Sequence, residues 1–171
     1  MLIFLIGYMA SGKTTVGKLL AEKLDYRFTD LDDEFEILTG MTIAEYFMKN
    51  GEKAFREKER EILRCHLTDT ETVIATGGGT PGYSDNMELM NRHGVTVFLD
   101  VPVEIIVRRL AGEQLRRPVI KDIPNEDLAL FIRGHLDSRR KLYELSAIRI
   151  PVSEDNDQEI INHLIFCIKS L

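Results

Sequence analysis

Gly7-Tyr8-Met9-Ala10-Ser11-Gly12-Lys13-Thr14, followed by Thr15, carries the spacing G-x-x-x-x-G-K-T, the P-loop pattern. Ahead of it, Leu2-Ile3-Phe4-Leu5-Ile6 is wholly apolar and suits a buried parallel strand. Behind it, the run from Val16 to Leu24 has apolar residues at helical spacing. A strand, a glycine loop and a helix in that order give the motif its physical sense. Gly7 and Gly12 let the backbone bend and approach a ligand closely. The loop N–H groups and the helix N-terminus then face a polyphosphate. Lys13 would reach the β- and γ-phosphates, and the Thr14 hydroxyl would face Mg²⁺.

Outward from this loop, strands alternate with helices. Residues 26–29 read as a short strand ending at Asp30, and residues 32–38 as a helix stopped by Gly40. Thr42-Ile43-Ala44-Glu45 is a capping-box pattern opening a short helix that ends near Gly51. A charged helix follows over about residues 52–67, then a compact strand at 73–76 running into Gly77-Gly78-Gly79. Ser84 is placed to cap a helix reaching His93, with Gly94 behind it. Residues 95–99 read as a strand, and a helix begins after Pro102. From 112 to 125 the periodicity fails, the mark of a functional or mobile loop in a compact domain. A helix over 126–143, a strand over 148–152 and a helix over 158–168 complete the chain. The alternation predicts an α/β fold with a parallel sheet covered on both faces. The ligand belongs at the carboxyl ends of its strands, where Gly7, Asp30 and Gly77 all fall.

The totals bound the function. The 171 residues fit one domain over 1–171 with a proper core. Hydrophobic content of 44% and charged content of 29% are ordinary for a soluble globular protein. The formal net charge of −6 argues against a nucleic-acid binder that relies on a broad basic surface, so the placement of individual arginines matters more. No apolar run approaches the ~20 residues that span a bilayer. The apolar start lacks a basic leader and breaks at Gly7, so it is not read as a signal peptide. Cys65 and Cys167 form no metal-ligand pattern and are expected as small buried residues in a reducing compartment, the cytoplasm.

Several further motifs carry possible chemistry, each with a plainer reading beside it. In Asp30-Leu31-Asp32, one carboxylate can hold water around Mg²⁺ and the other can orient or deprotonate a hydroxyl; the plainer alternative is that Asp32 caps the next helix. Glu52, Arg56 and Glu59 lie at helical spacing, which by default is a solvated salt-bridge face. Gly77-Gly78-Gly79 brings backbone amides close to a ligand, or makes a flexible turn. Arg116 and Arg117 on the aperiodic segment, and Arg139 and Arg140 further on, can neutralise a transferring phosphate or be surface charge. Asp100, at the end of another apolar strand, rivals Asp30 as the acid near the metal. The guanine-specificity pattern N-K-x-D is missing, which counts against a GTPase.

Taken in order, these motifs resemble those of the shikimate kinases, within the P-loop small-molecule kinase superfamily. The match includes G-x-x-x-x-G-K-T-T-x-G-x-x-L-A at 7–21, D-x-D at 30–32 and G-E-x-x-F-R-x-x-E at 51–59. It continues with G-G-G at 77–79, R-P at 117–118 and R-x-x-L-Y at 139–143. The resemblance implies a three-layer fold with a five-stranded parallel sheet in the order 2-3-1-4-5. It also implies substrate-binding helices over about 31–62, a mobile lid over about 111–125, and a monomer. The reaction implied is transfer of a phosphoryl group from ATP, with Mg²⁺, to the 3-hydroxyl of shikimate.

By position, Gly7, Ala10, Ser11, Gly12, Lys13, Thr14, Thr15, Arg109 and the lid residue Arg117 would bind ATP. Thr14 and Asp30 would serve the metal, and Lys13, Asp32 and Arg117 the chemistry. Asp32, Arg56, Gly77, Gly78, Gly79 and Arg139 would hold the acceptor, with Phe47, Phe55 and Glu59 shaping its pocket. The chain departs from the family pattern in places. Ala10 stands where a third P-loop glycine is usual, and its methyl is expected to fit through a negative φ with slight loop adjustment. Lys141 replaces a proline, the lid is about one residue longer between Arg109 and Arg117, and the adenine loop near 153–157 matches poorly. The competing readings are a gluconate or nucleoside-monophosphate kinase, and a nucleotide-binding switch without turnover.

Overall fold

A computed structural model describes residues 1–111, 119–152 and 157–170. Five strands, β1 (Leu2–Ile6), β2 (Arg27–Asp30), β3 (Thr72–Ala75), β4 (Val95–Asp100) and β5 (Ile148–Pro151), form one sheet in the order β2-β3-β1-β4-β5. Every pairing is parallel. The helices among the described residues are α1 (Lys13–Leu24), α2 (Leu31–Thr39), α3 (Ile43–Cys65), α4 (Asn86–His93), α5 (Val103–Leu110), α6 (Asn125–Tyr143) and α7 (Asp157–Lys169).

All five residues of β1 are buried. Successive strand side chains point to opposite faces, so helices cover both sides of the central strand. Gly17 lets α1 lie close on the sheet, since a methyl there would press on the rings of Phe28 and the end of Leu5. The register aligns Leu5 and Asp30 with Ala75, and Ile6 with Phe98. The residues that follow Ile6, Asp30 and Ala75, namely Gly7, Leu31 and Thr76, therefore leave the sheet at one edge, while β4 runs on to Asp100 beside β5. No described helix is long and apolar enough to cross a membrane.

Most local signals act as their chemistry predicts. Gly40 ends α2 in the left-handed region, φ 64°. The capping box forms: Thr42 N–H donates to Glu45 Oε2 at 2.9 Å, and Glu45 N–H donates to Thr42 Oγ1 at 3.2 Å. Gly51, at φ 80° and ψ 170°, breaks α3 into the two helical stretches that the sequence separates there.

Two expectations fail. Ser84 does not cap α4; the capping position is Asp85, and no side chain makes the capping bond. Ser84 itself lies in the left-handed region at φ 53°. The cysteines are not buried, because Cys65 ends α3 in an exposed position and Cys167 is half-buried on α7. The apolar spacing that begins at Val16 marks all of α1 but its polar first turn, which starts at Lys13.

Candidate active site

The loop between β1 and α1 turns on three residues with positive φ: Gly7 at 147°, Ala10 at 57° and Gly12 at 91°. The two glycines adopt these angles freely. Ala10 was expected to keep a negative φ and does not. Its left-handed conformation carries the strain of a Cβ against the backbone. Lys13 curls back over the loop, its ammonium donating to the carbonyls of Gly7 at 3.0 Å and Tyr8 at 2.9 Å, and to Ser11 Oγ at 3.3 Å. No acid occupies the first turn of α1, so the positive end of its dipole is left for an anion. Arg109 at the end of α5 donates to the Ala10 carbonyl at 3.0 Å.

At the end of β2 the Asp30 carboxylate uses both oxygens. Oδ1 accepts the Asp32 N–H at 3.0 Å, and Oδ2 accepts the Thr14 hydroxyl at 2.6 Å. Asp30 is therefore the cap of α2, which displaces the reading of Asp32 as the cap. The same geometry separates Asp30 from its rival. Asp100 accepts from Arg140 at 3.2 Å through each oxygen and from Arg149 Nε at 2.9 Å. That carboxylate joins β4, β5 and α6, whereas Asp30 touches the P-loop.

A cavity of about 220 Å³ opens over the loop, lined by residues 9–15 together with Asp30, Asp32, Thr76 and Gly78. Thr15 and Ser11 contribute to that wall. Beside it lies a larger cavity of about 650 Å³, lined by Glu52, Lys53, Arg56, Gly79, Gly82, Tyr83, Ser138, Arg139 and Leu142. The glycine run Gly77-Gly78-Gly79 separates the two. None of its residues has positive φ, so these glycines are not there for a special turn. They are there for space. A methyl on Gly77 would fall on the Glu59 carboxylate and within 3.1 Å of Asp32 Oδ1. A methyl on Gly78 would come within 3.2 Å of Met9 N, and one on Gly79 would land on the Arg56 guanidinium. Asp32, Glu59, Arg56 and the P-loop thus all press on three consecutive Cα atoms.

Arg56 is not a solvated salt-bridge residue. Its side chain is 16% exposed and donates to Glu59 Oε2 at 2.7 Å, with Glu52 at 3.9 Å on the outside. Glu59 is buried and also accepts the Thr80 hydroxyl at 2.6 Å. A buried carboxylate with two donors is a satisfied support, fixing Arg56 from behind. The Arg56 guanidinium lies 4.9 Å from the Phe55 ring centroid. Phe55 packs on Phe35 at 5.0 Å and on Phe47 at 5.7 Å, so the aromatic residues form the wall that carries the arginine.

From the other side, Arg139 on α6 donates to the Gly78 carbonyl at 3.3 Å. Tyr143, one turn on, donates its hydroxyl to the same oxygen at 2.6 Å. Burial pushes the Tyr143 phenol up, which keeps it a donor. In the sequence Tyr143 belongs to the R-x-x-L-Y motif but carries no assigned role. Its signal was the spacing to Arg139, which puts both on one helix face. Thr80, Tyr83 and Leu142 were also not foreseen. The structure therefore gathers Lys13, Thr14, Asp30, Asp32, Arg56, Glu59, Gly77–79 and Arg139 around one edge of the sheet. Arg117 and the central lid residues 112–118 lie outside the described residues, as does most of the adenine loop.

A carboxylate and a hydroxyl in contact, beside a phosphate-binding loop, are hard oxygen donors of the kind Mg²⁺ accepts while keeping most of its water. No group of three or more His, Cys, Asp or Glu residues fit to hold a metal exists among the described residues. The pair fits a metal carried mainly by phosphate oxygens and water.

The family model described as shikimate kinase matches residues 9–169. The curated shikimate kinase of Persephonella marina is 38% identical over 95% of this chain and 96% of its own. A crystal structure of the shikimate kinase of Bacteroides thetaiotaomicron superimposes with a TM-score of 0.92 at 36% identity, covering 99% of this chain and 98% of that one. The Acinetobacter baumannii enzyme in complex with shikimate gives a TM-score of 0.92 at 34% identity, covering 99% and 93%. The chain belongs to the shikimate kinase family.

Proposed function

We propose that this protein transfers the γ-phosphoryl group of ATP to the 3-hydroxyl of shikimate, giving shikimate 3-phosphate and ADP. The observation that carries the reading is the placement of Arg56 and Arg139 on either side of Gly77–79, one cavity away from the P-loop. Two guanidinium groups suit a carboxylate, which each can bind through a fork of parallel hydrogen bonds. Shikimate offers one carboxylate and several hydroxyls. With the carboxylate on the arginines, the hydroxyls are directed toward Asp32 and the phosphate loop.

Asp32 is the best candidate to accept or orient the hydroxyl proton, since it lines the phosphate cavity and lies against Gly77. Lys13 and the α1 N-terminus neutralise the charge that spreads over the transferring phosphoryl group. Thr14 and Asp30 would hold Mg²⁺, which supplies further charge neutralisation at the phosphate oxygens. Arg109 serves the nucleotide side, and Arg117 on the lid would close over the phosphates and help exclude water. The same reading gives a cytoplasmic monomer, as a single 1–171 domain, whose partners are small molecules. Sedimentation velocity checks the monomer.

The decisive assay is ADP release with Mg·ATP and shikimate, gluconate or AMP supplied in turn. Release that depends on shikimate alone supports the proposal. Release driven by gluconate or AMP would move the chain to the competing kinases, and none with any acceptor would leave a nucleotide-binding switch.

A further inference from the structure

Tyr8 is a P-loop residue whose backbone and side chain face in different directions. Its carbonyl accepts the Lys13 ammonium at 2.9 Å. Its ring is buried, and its hydroxyl lies 2.8 Å from Nδ1 of His135 on α6, across 127 residues of chain. The rings meet edge to face, with centroids 5.5 Å apart. Burial pushes the Tyr8 phenol up to about 12, so it stays protonated and can donate. Burial and the neighbouring Arg139 hold His135 below the ordinary histidine range, so the ring is neutral, and in the tautomer with its proton on Nε2 the Nδ1 accepts from Tyr8. Tyr8 and Phe131 pack on this ring and Arg139 is its charged neighbour, while Ile123, the acid Asp127 and Leu130 line the same cavity as His135.

His135 stands four residues before Arg139, on the same face of α6. Arg139 and Tyr143 grip the Gly78 carbonyl. Gly78 in turn lies against the backbone of Gly7, Tyr8 and Met9. The helix carrying Arg139 is thereby tied to the phosphate loop on both sides of the arginine. Phosphates entering the loop compete for the Lys13 ammonium, and so for the bond that holds the Tyr8 peptide.

We propose that the Tyr8–His135 hydrogen bond is a positioning contact that couples nucleotide binding at the P-loop to acceptor binding at Arg139. The inference rests on the shikimate kinase reading. His135 touches neither substrate; it acts through α6. Coupling between two ligands is reciprocal, so nucleotide should tighten shikimate and shikimate should tighten nucleotide by one factor.

The test is isothermal titration of shikimate into the whole protein with and without saturating Mg·ADP. The wild type should bind shikimate at least about fivefold more tightly with ADP, a typical coupling factor. Tyr8→Phe, which removes one oxygen, and His135→Leu should each bring that ratio close to one. The double variant should add nothing further. His135→Asn, whose amide oxygen can stand where Nδ1 does, should restore most of it. A general packing defect would weaken shikimate binding equally in both conditions and leave the ratio alone. A wild-type ratio of one, or variants that keep the wild-type ratio, would overturn the proposal. No shikimate binding and no shikimate-dependent turnover by the wild type would instead defeat the functional reading beneath it.

Discussion

The two glycine-rich segments of the site lie against each other yet use glycine for opposite reasons. In the P-loop, Gly7 and Gly12 supply positive φ, and the backbone itself is the ligand-facing surface. In the run 77–79 the backbone angles are ordinary, and what matters is the missing Cβ, because Asp32, Glu59 and Arg56 occupy that space. The first segment solves a conformational problem, the second a packing problem. The contrast explains why one P-loop position can depart from glycine at the cost of strain. In the second run, any side chain displaces a functional group.

The largest effect should come from Asp32, the side chain shared by both segments. Asp32→Asn keeps the shape and removes the proposed base, so kcat should fall on the order of a thousandfold with the circular dichroism spectrum unchanged. Near-normal turnover would remove Asp32 from the chemistry. Next comes Arg56→Ala, which should raise the shikimate KM about a hundredfold, as expected for a desolvated charged contact, while ATP affinity holds. An equal loss of ATP affinity would reassign Arg56 to the nucleotide.

Gly79→Ala probes the packing half of the contrast. Its methyl displaces Arg56, so it should imitate Arg56→Ala more weakly, with about a tenfold rise in shikimate KM and little loss in melting temperature. A large drop in stability without a KM change would mean the run is structural. Ala10→Gly probes the conformational half and should do the reverse. Relief of the left-handed strain should stabilise the fold by about 1 kcal/mol, raising Tm by about 2–4 °C with the shikimate KM unchanged.

The smallest effect concerns pH. The folded pKa of His135 lies below its unfolded value of about 6.5, so the unfolded chain binds the proton first. Its contribution is complete above about pH 6.5 and is lost as pH falls through the lowered folded value. Between pH 7.5 and 5.5 the wild type should therefore lose more Tm than His135→Asn does. Equal losses would show that this histidine is not held neutral.

Much of the architecture could be read because it rests on local chemistry. The apolar runs 2–6 and 95–99, the capping box at Thr42 and the stops at Gly40 and Gly51 each carry their own signal. The strand ends then placed Gly7, Asp30 and Gly77 on one edge without further information. What stayed hidden depends on contacts between distant segments. Nothing around Gly79 announces that Arg56 will lie against it, and nothing near Tyr8 points to His135. The φ of Ala10 is set by the turn as a whole, so the residue type alone misled. Cys65 was misplaced for a related reason. A helix end can be exposed even when the helix is amphipathic.

The central claim is that the two segments bring one hydroxyl of a carboxylate-bearing polyol to the γ-phosphate. It is tested most directly by identifying the product formed from Mg·ATP and shikimate by phosphorus and proton NMR. The account predicts one phosphate ester, on the 3-hydroxyl, formed in equal amount to ADP. Inorganic phosphate in place of the ester, or esterification at another hydroxyl, would contradict it.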